Sequence, residues 1–406
     1  MDEPSASFAA PLAAPSGDEG RPELVAAIRA ELDAAGRLTF ARFMELALYH
    51  PTHGYYLAPE RRPGRGGDFL TAPETHPFFG VTLARQIAEC WERLGRPAPF
   101  TVREDGAGVG GLAYDIVAGL STEAPATAAA LRYRMVEPNP HRRAQALAAM
   151  AEVGLADIVT AEPPPPAGTN PDPIVGVALA NEVADALPVH RLVRRGRRLR
   201  ERYVVWRHEV GAFGEAEGDL SPPVRDVPDY LAAEGVVLAD GDAVDVSPAA
   251  AEWFAGLGHG LRRGYAIVID YGYPATELYR AHRLGGTVRA HHRHTVTDDP
   301  LRRVGEQDIT AHVDFTALRR AGEAVGLRDA GFTTQGAFLA SLGLGDLLVD
   351  LQQDPATTSA QYLAARAAAL RLIDPGGMGR FGVLIMARGA PVAPPLRAFA
   401  VAAPGF

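Results

Sequence analysis

The chain contains no lysine: all 40 of its basic residues are arginine. With abundant Ala, Gly and Pro, that bias reads as GC-rich coding and carries no mechanism. A single cysteine, Cys90, excludes an intramolecular disulfide framework and a cysteine-rich metal site and fits a reducing compartment. A lone thiol of this kind reads as core packing. No stretch reaches the ~20 apolar residues that a membrane span needs. An excess of positive charge is also missing: the formal net charge is −9, which removes any general attraction to nucleic acid or an anionic membrane. The opening "MDEPSASFAAPLAAPSGDEG" lacks the basic region and apolar run of a secretory signal and the Arg-rich amphipathicity of a transit peptide. The expectation is a soluble, cytoplasmic protein with a flexible tail over 1–20. Nothing in the sequence excludes an oligomer.

What is present is globular. With 47% of its 406 residues hydrophobic and 22% charged, the chain can bury a large core as one elaborated domain or two. Apolar residues recur at helical spacing in "RPELVAAIRAELDAAG", which stops at Gly36, and again in "LTFARFMELALYH", where Thr39 is the N-cap candidate. A Gly- and Pro-rich stretch and the helix "GVTLARQIAECWERLG" follow. From there strands and helices alternate: "FTVRED" with "GLAYDIVAGL", "LRYRMVEP" with "HRRAQALAAM", then "ADIVTAEP", "IVGVALANEV" and "YAIVIDYGY". Continuous apolar strands separated by helices predict an α/β fold with a mostly parallel sheet covered on both faces. "RLVRRGRRLRERYVVW" interrupts the rhythm like a hairpin around Gly196. The expected organisation is an N-terminal helical segment over 21–95, a core over 96–189 and 263–390, a hairpin-containing insertion over 190–262 and a tail over 391–406.

The stretch "VREDGAGVGGLAYD" places Gly106, Gly108, Gly110 and Gly111 between a buried strand and a helix, where a backbone without Cβ atoms can approach a nucleotide closely. The spacing of Gly106, Gly108 and Gly111 also satisfies the dinucleotide fingerprint. Glu104 argues for the other cofactor: a carboxylate at the strand end suits the cationic parts of S-adenosylmethionine and repels a pyrophosphate. Glu137, ending the next strand, can accept hydrogen bonds from ribose hydroxyls in either case. "NEVAD" supplies Glu182 and Asp185 three residues apart, able to orient a nucleophile and remove its proton, or alternatively to cap a helix and pair with nearby arginines. "QDITAHVDF" offers Asp308, His312 and Asp314, for substrate positioning or a purely structural polar network. His291, His292 and His294 lie on one loop without partnered cysteines or a His-Glu-x-x-His helix, so no metal site is expected. "VRRGRRLR" reads as an exposed hairpin or as a docking site for an acidic partner.

Six segments, "LYHPTHGYY", "GRGGDFLTAPE", "REDGAGVGGLAYD", "ANEVADALPVHR", "VIDYGY" and "GEQDITAHVDF", resemble in order the motifs of the MidA-like family of class I methyltransferases, from about residue 37 to about residue 342. The resemblance implies a Rossmann-like, seven-stranded class I sheet with N-terminal helices and an inserted subdomain, using S-adenosyl-L-methionine. It places Asp68, Thr71, Glu104, Gly106, Gly108, Gly110 and Glu137 at the cofactor. Asn181, Glu182 and Asp185 become the catalytic group, and Asp270, Tyr271, His312 and Asp314 the substrate side. The family's mitochondrial branch methylates arginine in a complex I subunit, so a protein side chain, arginine first, is the expected acceptor. A small-molecule acceptor and a catalytically weak assembly or binding factor are the alternatives. Three loop positions depart from the family pattern: Asp105, Ala107 and Val109. Val183 and Ala184 stand where bulkier apolar residues are usual.

Overall fold

The computed structural model describes residues 19–58, 71–166, 168–280, 285–293 and 295–402. Seven strands form its central sheet: β1 (Phe100–Asp105), β2 (Leu131–Val136), β3 (Val159–Glu162), β4 (Ile174–Asn181), β5 (Leu261–Asp270), β6 (Arg328–Thr334) and β7 (Gly382–Arg388). Their spatial order is 3-2-1-4-5-7-6. β7 runs antiparallel to β5 and β6, and the other neighbours pair in parallel, so the sheet is mixed.

Strand periodicity divides β4 between two cores. Val177 and Leu179 face the helices α3 (Phe78–Arg93), α4 (Gly111–Glu123) and α5 (Pro140–Glu152), while Ala178 and Ala180 face α6 (Pro248–His259) and α7 (Phe315–Ala324). Both faces are covered, which is why the strands read as unbroken apolar runs. At the middle of the sheet β1, β4 and β5 approach closely through paired glycines: Gly264 lies opposite Gly176, and Gly176 opposite Thr101. A Cβ on Gly176 would fall 1.8 Å from the Thr101 carbonyl oxygen.

The two N-terminal helices, at Pro22–Ala35 and Phe40–Tyr49, pack on a second sheet and not on the first. Gly36 ends the first with φ +76, and the Thr39 hydroxyl caps the second by accepting from the Arg42 amide. The second sheet contains His190–Arg195, Arg198–Arg207, Ala212–Gly218 and Ala243–Val246, and the short strand Leu38–Thr39 pairs with its long central strand. Its arginines meet acids on the strand Ala212–Gly218 and just beyond it: Arg191, two strands away, pairs with Glu215, Arg195 with Glu217 and Arg200 with Asp219. Of residues 190–262, the stretch from Pro248 onward belongs to the central sheet: α6 is the crossover between β4 and β5, with Phe254 fully buried. Residues 391–402 also pack down, with Ala398 fully buried and Arg93 donating to the carbonyls of Pro394 and Pro395. Among the described residues, no helix is long and apolar enough to cross a membrane.

Gly176→Ala is expected to destabilise the protein by about 3 kcal/mol or more, because backbone on a central strand must move to admit one methyl group. A chemical-denaturation curve showing a cost below about 1 kcal/mol would contradict the close approach.

Candidate active site

Strand order reverses between β1 and β4, so the chain leaves their carboxyl ends in opposite directions and opens a crevice there. The glycine loop leaves β1 on one side. Gly106 (φ +75), Gly108 (φ +57) and Gly110 (φ +85) all adopt left-handed conformations that favour glycine. Gly106 and Ala107 donate to the Val136 carbonyl, which ties the loop to the end of β2. A Cβ on Gly110 would crowd Met150, Met135 and Ala146, all within 3.3 Å; one on Gly108 would meet nothing within 4 Å. Gly110 is therefore glycine for packing, and Gly108 presents bare backbone to open space.

Two carboxylates flank this loop. Glu137 accepts from the Gly108 amide at 3.0 Å and the Asn139 amide at 2.9 Å, one on each oxygen. Each oxygen keeps further acceptor capacity. Glu104 lies under the loop, 3% exposed, with the Tyr133 hydroxyl donating to it at 2.7 Å. Burial pushes its carboxyl up to about 7, against the opposing pull of that hydrogen bond. Asp105, the unusual acid of the loop, turns the other way. It takes Arg103 at 2.8 Å and the Trp253 indole at 3.1 Å, on the face covered by α6. Its charge is paired within the protein, and what remains of its field adds to the raising of the Glu104 carboxyl.

Across the crevice β4 ends in the turn 182–186. Glu182 has φ +53, a conformation that costs a non-glycine residue energy. Its Oε1 accepts from the Ala72 amide and the Asn181 side-chain amide, both at 3.0 Å. Burial raises its carboxyl to about 7 and that of Asp185 to about 6. Asp185, 6% exposed, accepts from the Tyr271 hydroxyl, yet its Oδ1 has no partner among the described residues; neither has the buried Oδ1 of Asn181. Val183 sits against the glycine loop: a Cβ on Gly106 would lie 2.5 Å from its Cγ2.

The remaining wall is aromatic. The Tyr271 ring meets His312 and Phe381, each at 5.5 Å between ring centres. Segment 308–314 is stitched to the acid turn, with the Ala311 amide donating to the Asp185 carbonyl and the Val313 amide to the Tyr271 carbonyl. From the N-terminal helices Tyr49 donates to the Ala186 carbonyl, and Tyr56 donates to Asp308 while stacking on Tyr49.

The structure thus brings Thr71, Glu104, Gly106, Gly108, Gly110, Glu137, Asn181, Glu182, Asp185, Tyr271 and His312 around one crevice. Thr71 acts there as the N-cap of the helical turn Ala72–Thr75, the element that touches Glu182. Asp68 and His294 lie outside the described residues. Two acids assigned to the substrate have internal duties. Asp314 caps α7 with one oxygen and holds the hydroxyls of Tyr230 and Tyr279 with the other. Asp270 is fully buried and bonded to backbone amides. Sequence reasoning missed Tyr133, Trp253, Tyr56 and Asn139. Asn139 caps α5 and donates to the Tyr56 carbonyl at 2.9 Å. Only "NP" before a helical run and the quoted "GYY" hinted at this tie.

A family profile for S-adenosyl-L-methionine-dependent methyltransferases matches residues 82–333. The chain belongs to this family. The human protein arginine methyltransferase NDUFAF7, mitochondrial, is 27% identical, the match covering 80% of this chain and 75% of that protein; the Drosophila melanogaster homolog is 28% identical over 81% and 77%. A crystal structure of a Burkholderia thailandensis protein bound to S-adenosyl-homocysteine superposes with a TM-score of 0.82 at 34% identity, covering 93% of this chain and 94% of that one. Both named relatives are mitochondrial, and the comparisons lend no support to the cytoplasmic placement expected from composition.

This methyltransferase uses S-adenosyl-L-methionine, and its crevice suits that cofactor: an open glycine backbone at Gly108, acceptor capacity on Glu137 and a buried Glu104 that a cation would draw into its ionised form. Gly108→Asp puts a carboxylate into the open space at a φ that Asp tolerates. It is expected to lower affinity for S-adenosyl-homocysteine at least about tenfold with the fold intact, as read by isothermal titration beside circular dichroism. The unfolded chain releases the Glu104 proton near its ordinary value of 4.5 and the folded chain near 7, so this group withdraws stability as pH rises across that window. Glu104→Gln, which still accepts from Tyr133, should raise the melting temperature by a few degrees at pH 8 and by less at pH 5. Equal gains at both pH values would refute the assignment.

Proposed function

We propose that this methyltransferase modifies a nitrogen of a protein arginine side chain. The observation that carries the reading is the pair of buried acceptors without partners, Asp185 Oδ1 and Asn181 Oδ1, beside Glu182 at the end of β4. A guanidinium brings five N–H donors in a rigid fork and a positive charge, the complement of an acid-lined recess. The names of the curated relatives support the same acceptor.

S-adenosyl-L-methionine, when bound, supplies an electrophilic methyl group. The chain's contribution is orientation and proton management. Asn181 and Asp185 fix the guanidinium plane, and the aromatic wall of Tyr271, His312 and Phe381 limits access of water to one side. A guanidinium is a poor nucleophile until its nitrogen lone pair is localised and a proton leaves. Glu182 and Asp185, with carboxyls near 7 and 6, accept that proton close to neutral pH. The glycine loop and this acid turn touch through Gly106 and Val183, so cofactor and acceptor are held by neighbouring backbone.

Labelled S-adenosyl-L-methionine added with the purified enzyme to a cell extract is expected to mark a protein band whose hydrolysate contains methylarginine. The rate should rise with pH through about 6 to 7, as the carboxyls raised to those values ionise, and Asp185→Asn should reduce it about 100-fold. Label in small molecules alone would move the acceptor to a free metabolite; no label with intact cofactor binding would favour the assembly-factor alternative.

A further inference from the structure

Asp270 ends β5 and is 0% exposed, yet no arginine pairs with it among the ion pairs of the described residues. Its Oδ2 accepts three successive amides, those of Val183 at 3.1 Å, Ala184 at 2.9 Å and Asp185 at 3.2 Å; its Oδ1 accepts the Tyr271 amide at 2.9 Å. Three amides converging on one oxygen form an anion nest. Here the anion is the protein's own side chain, and the nest is the turn that carries Asp185. That turn starts from Glu182 in a left-handed conformation, which the backbone would abandon without an external hold.

We infer that Asp270 is a positioning residue for the methyl-transfer site: it clamps the 183–185 turn and, through Tyr271, sets where the carboxylate of Asp185 stands. The inference rests on reading Asp185 as the acceptor's carboxylate. Both ends of the clamp reach Asp185, since Asp270 holds its amide and the next residue, Tyr271, donates its hydroxyl to its carboxylate. Asp270 has no free face for a substrate, which sets it apart from Asp185 and Asn181, whose Oδ1 atoms lack partners.

The clamp also acts on the ionisation of Asp185. Groups facing Asp185 are Glu182 in its own turn, Asp270 and Tyr271 at the end of β5, and Tyr49 and Tyr56 from the N-terminal segment. Burial raises the Asp185 carboxyl to about 6 and the Tyr271 hydroxyl pulls against it, while burial and the neighbouring Asp185 hold Asp270 itself well above the usual carboxylate range, so that Asp185 ionises first. A turn released from Asp270 loses the Tyr271 donor that favours the ionised form, so Asp185 ionises at higher pH.

The test is Asp270→Asn, with Asp185→Asn as comparator, on the full chain saturated with S-adenosyl-homocysteine and titrated with L-argininamide from pH 5 to 8. Asp270→Asn should weaken argininamide about tenfold or more while S-adenosyl-homocysteine affinity stays within about twofold. The pH at half-maximal argininamide binding should rise by about one unit, because Asp185 loses the hydroxyl donor that favours its ionised form. Hydrogen exchange at the amides of Val183, Ala184 and Asp185 should speed up. Unchanged exchange at these amides, or an unchanged half-maximal pH, overturns the inference. If wild type and Asp185→Asn bind argininamide equally, or neither binds it, the arginine reading falls. The clamp is then decided by exchange together with the melting-temperature difference between pH 5 and pH 8, which Asp270→Asn should shrink because the buried Asp270 carboxyl is itself raised; a uniform loss at both pH values would overturn the inference.

Discussion

The contact of Val183 with Gly106 joins the two halves of the crevice, and it exists because position 106 has no side chain. The glycine loop and the acid turn leave adjacent strands and would otherwise be independent surface connections. With a methyl group at 106 they could not both keep their places. Loop geometry, turn geometry and the distance between cofactor and acceptor are therefore one constraint, and the small size of the residue at 183 belongs to it.

The carboxylates of the region divide into two kinds. Asp105 and Asp314 are satisfied internally, the first by Arg103 and Trp253, the second by a helix terminus and two phenols. Glu104, Glu182 and Asp185 have fewer or weaker partners, and burial, which lifts the carboxyls of both kinds, brings these three to about 7, about 7 and about 6. A fold has little reason to collect uncompensated buried acids unless a cationic guest completes them. The sulfonium cofactor on one side and a guanidinium on the other would each supply that charge.

Much of the architecture was legible in the chain. Alternating apolar strands and helices announced the sheet, the glycine spacing located the loop, and "NEVAD" located the acid turn, because local pattern and turn chemistry decide these features. The antiparallel course of β7 was not legible, since "GRFGVLIMAR" carries no direction. Nor was the separation of Asp105 from Glu104: adjacent residues on a strand point to opposite faces, but which face meets the ligand depends on α6 and Trp253, far along the chain. The role of Asp270 was equally hidden. "VIDYGY" offers a carboxylate at a strand end, and only the folded turn reveals that its partners are amides.

The strand Leu38–Thr39 pairs with the middle of the second sheet, opposite Val204 and Tyr203. The N-terminal helices bury their apolar faces on that same sheet and carry Tyr49 and Tyr56 to the acid turn. During synthesis these first helices have no partner until the chain has been made past Val204, by which point β1 to β4 have already emerged. The two helices thus wait for the middle of the chain, and the Tyr271, His312 and Phe381 side of the crevice is made later still.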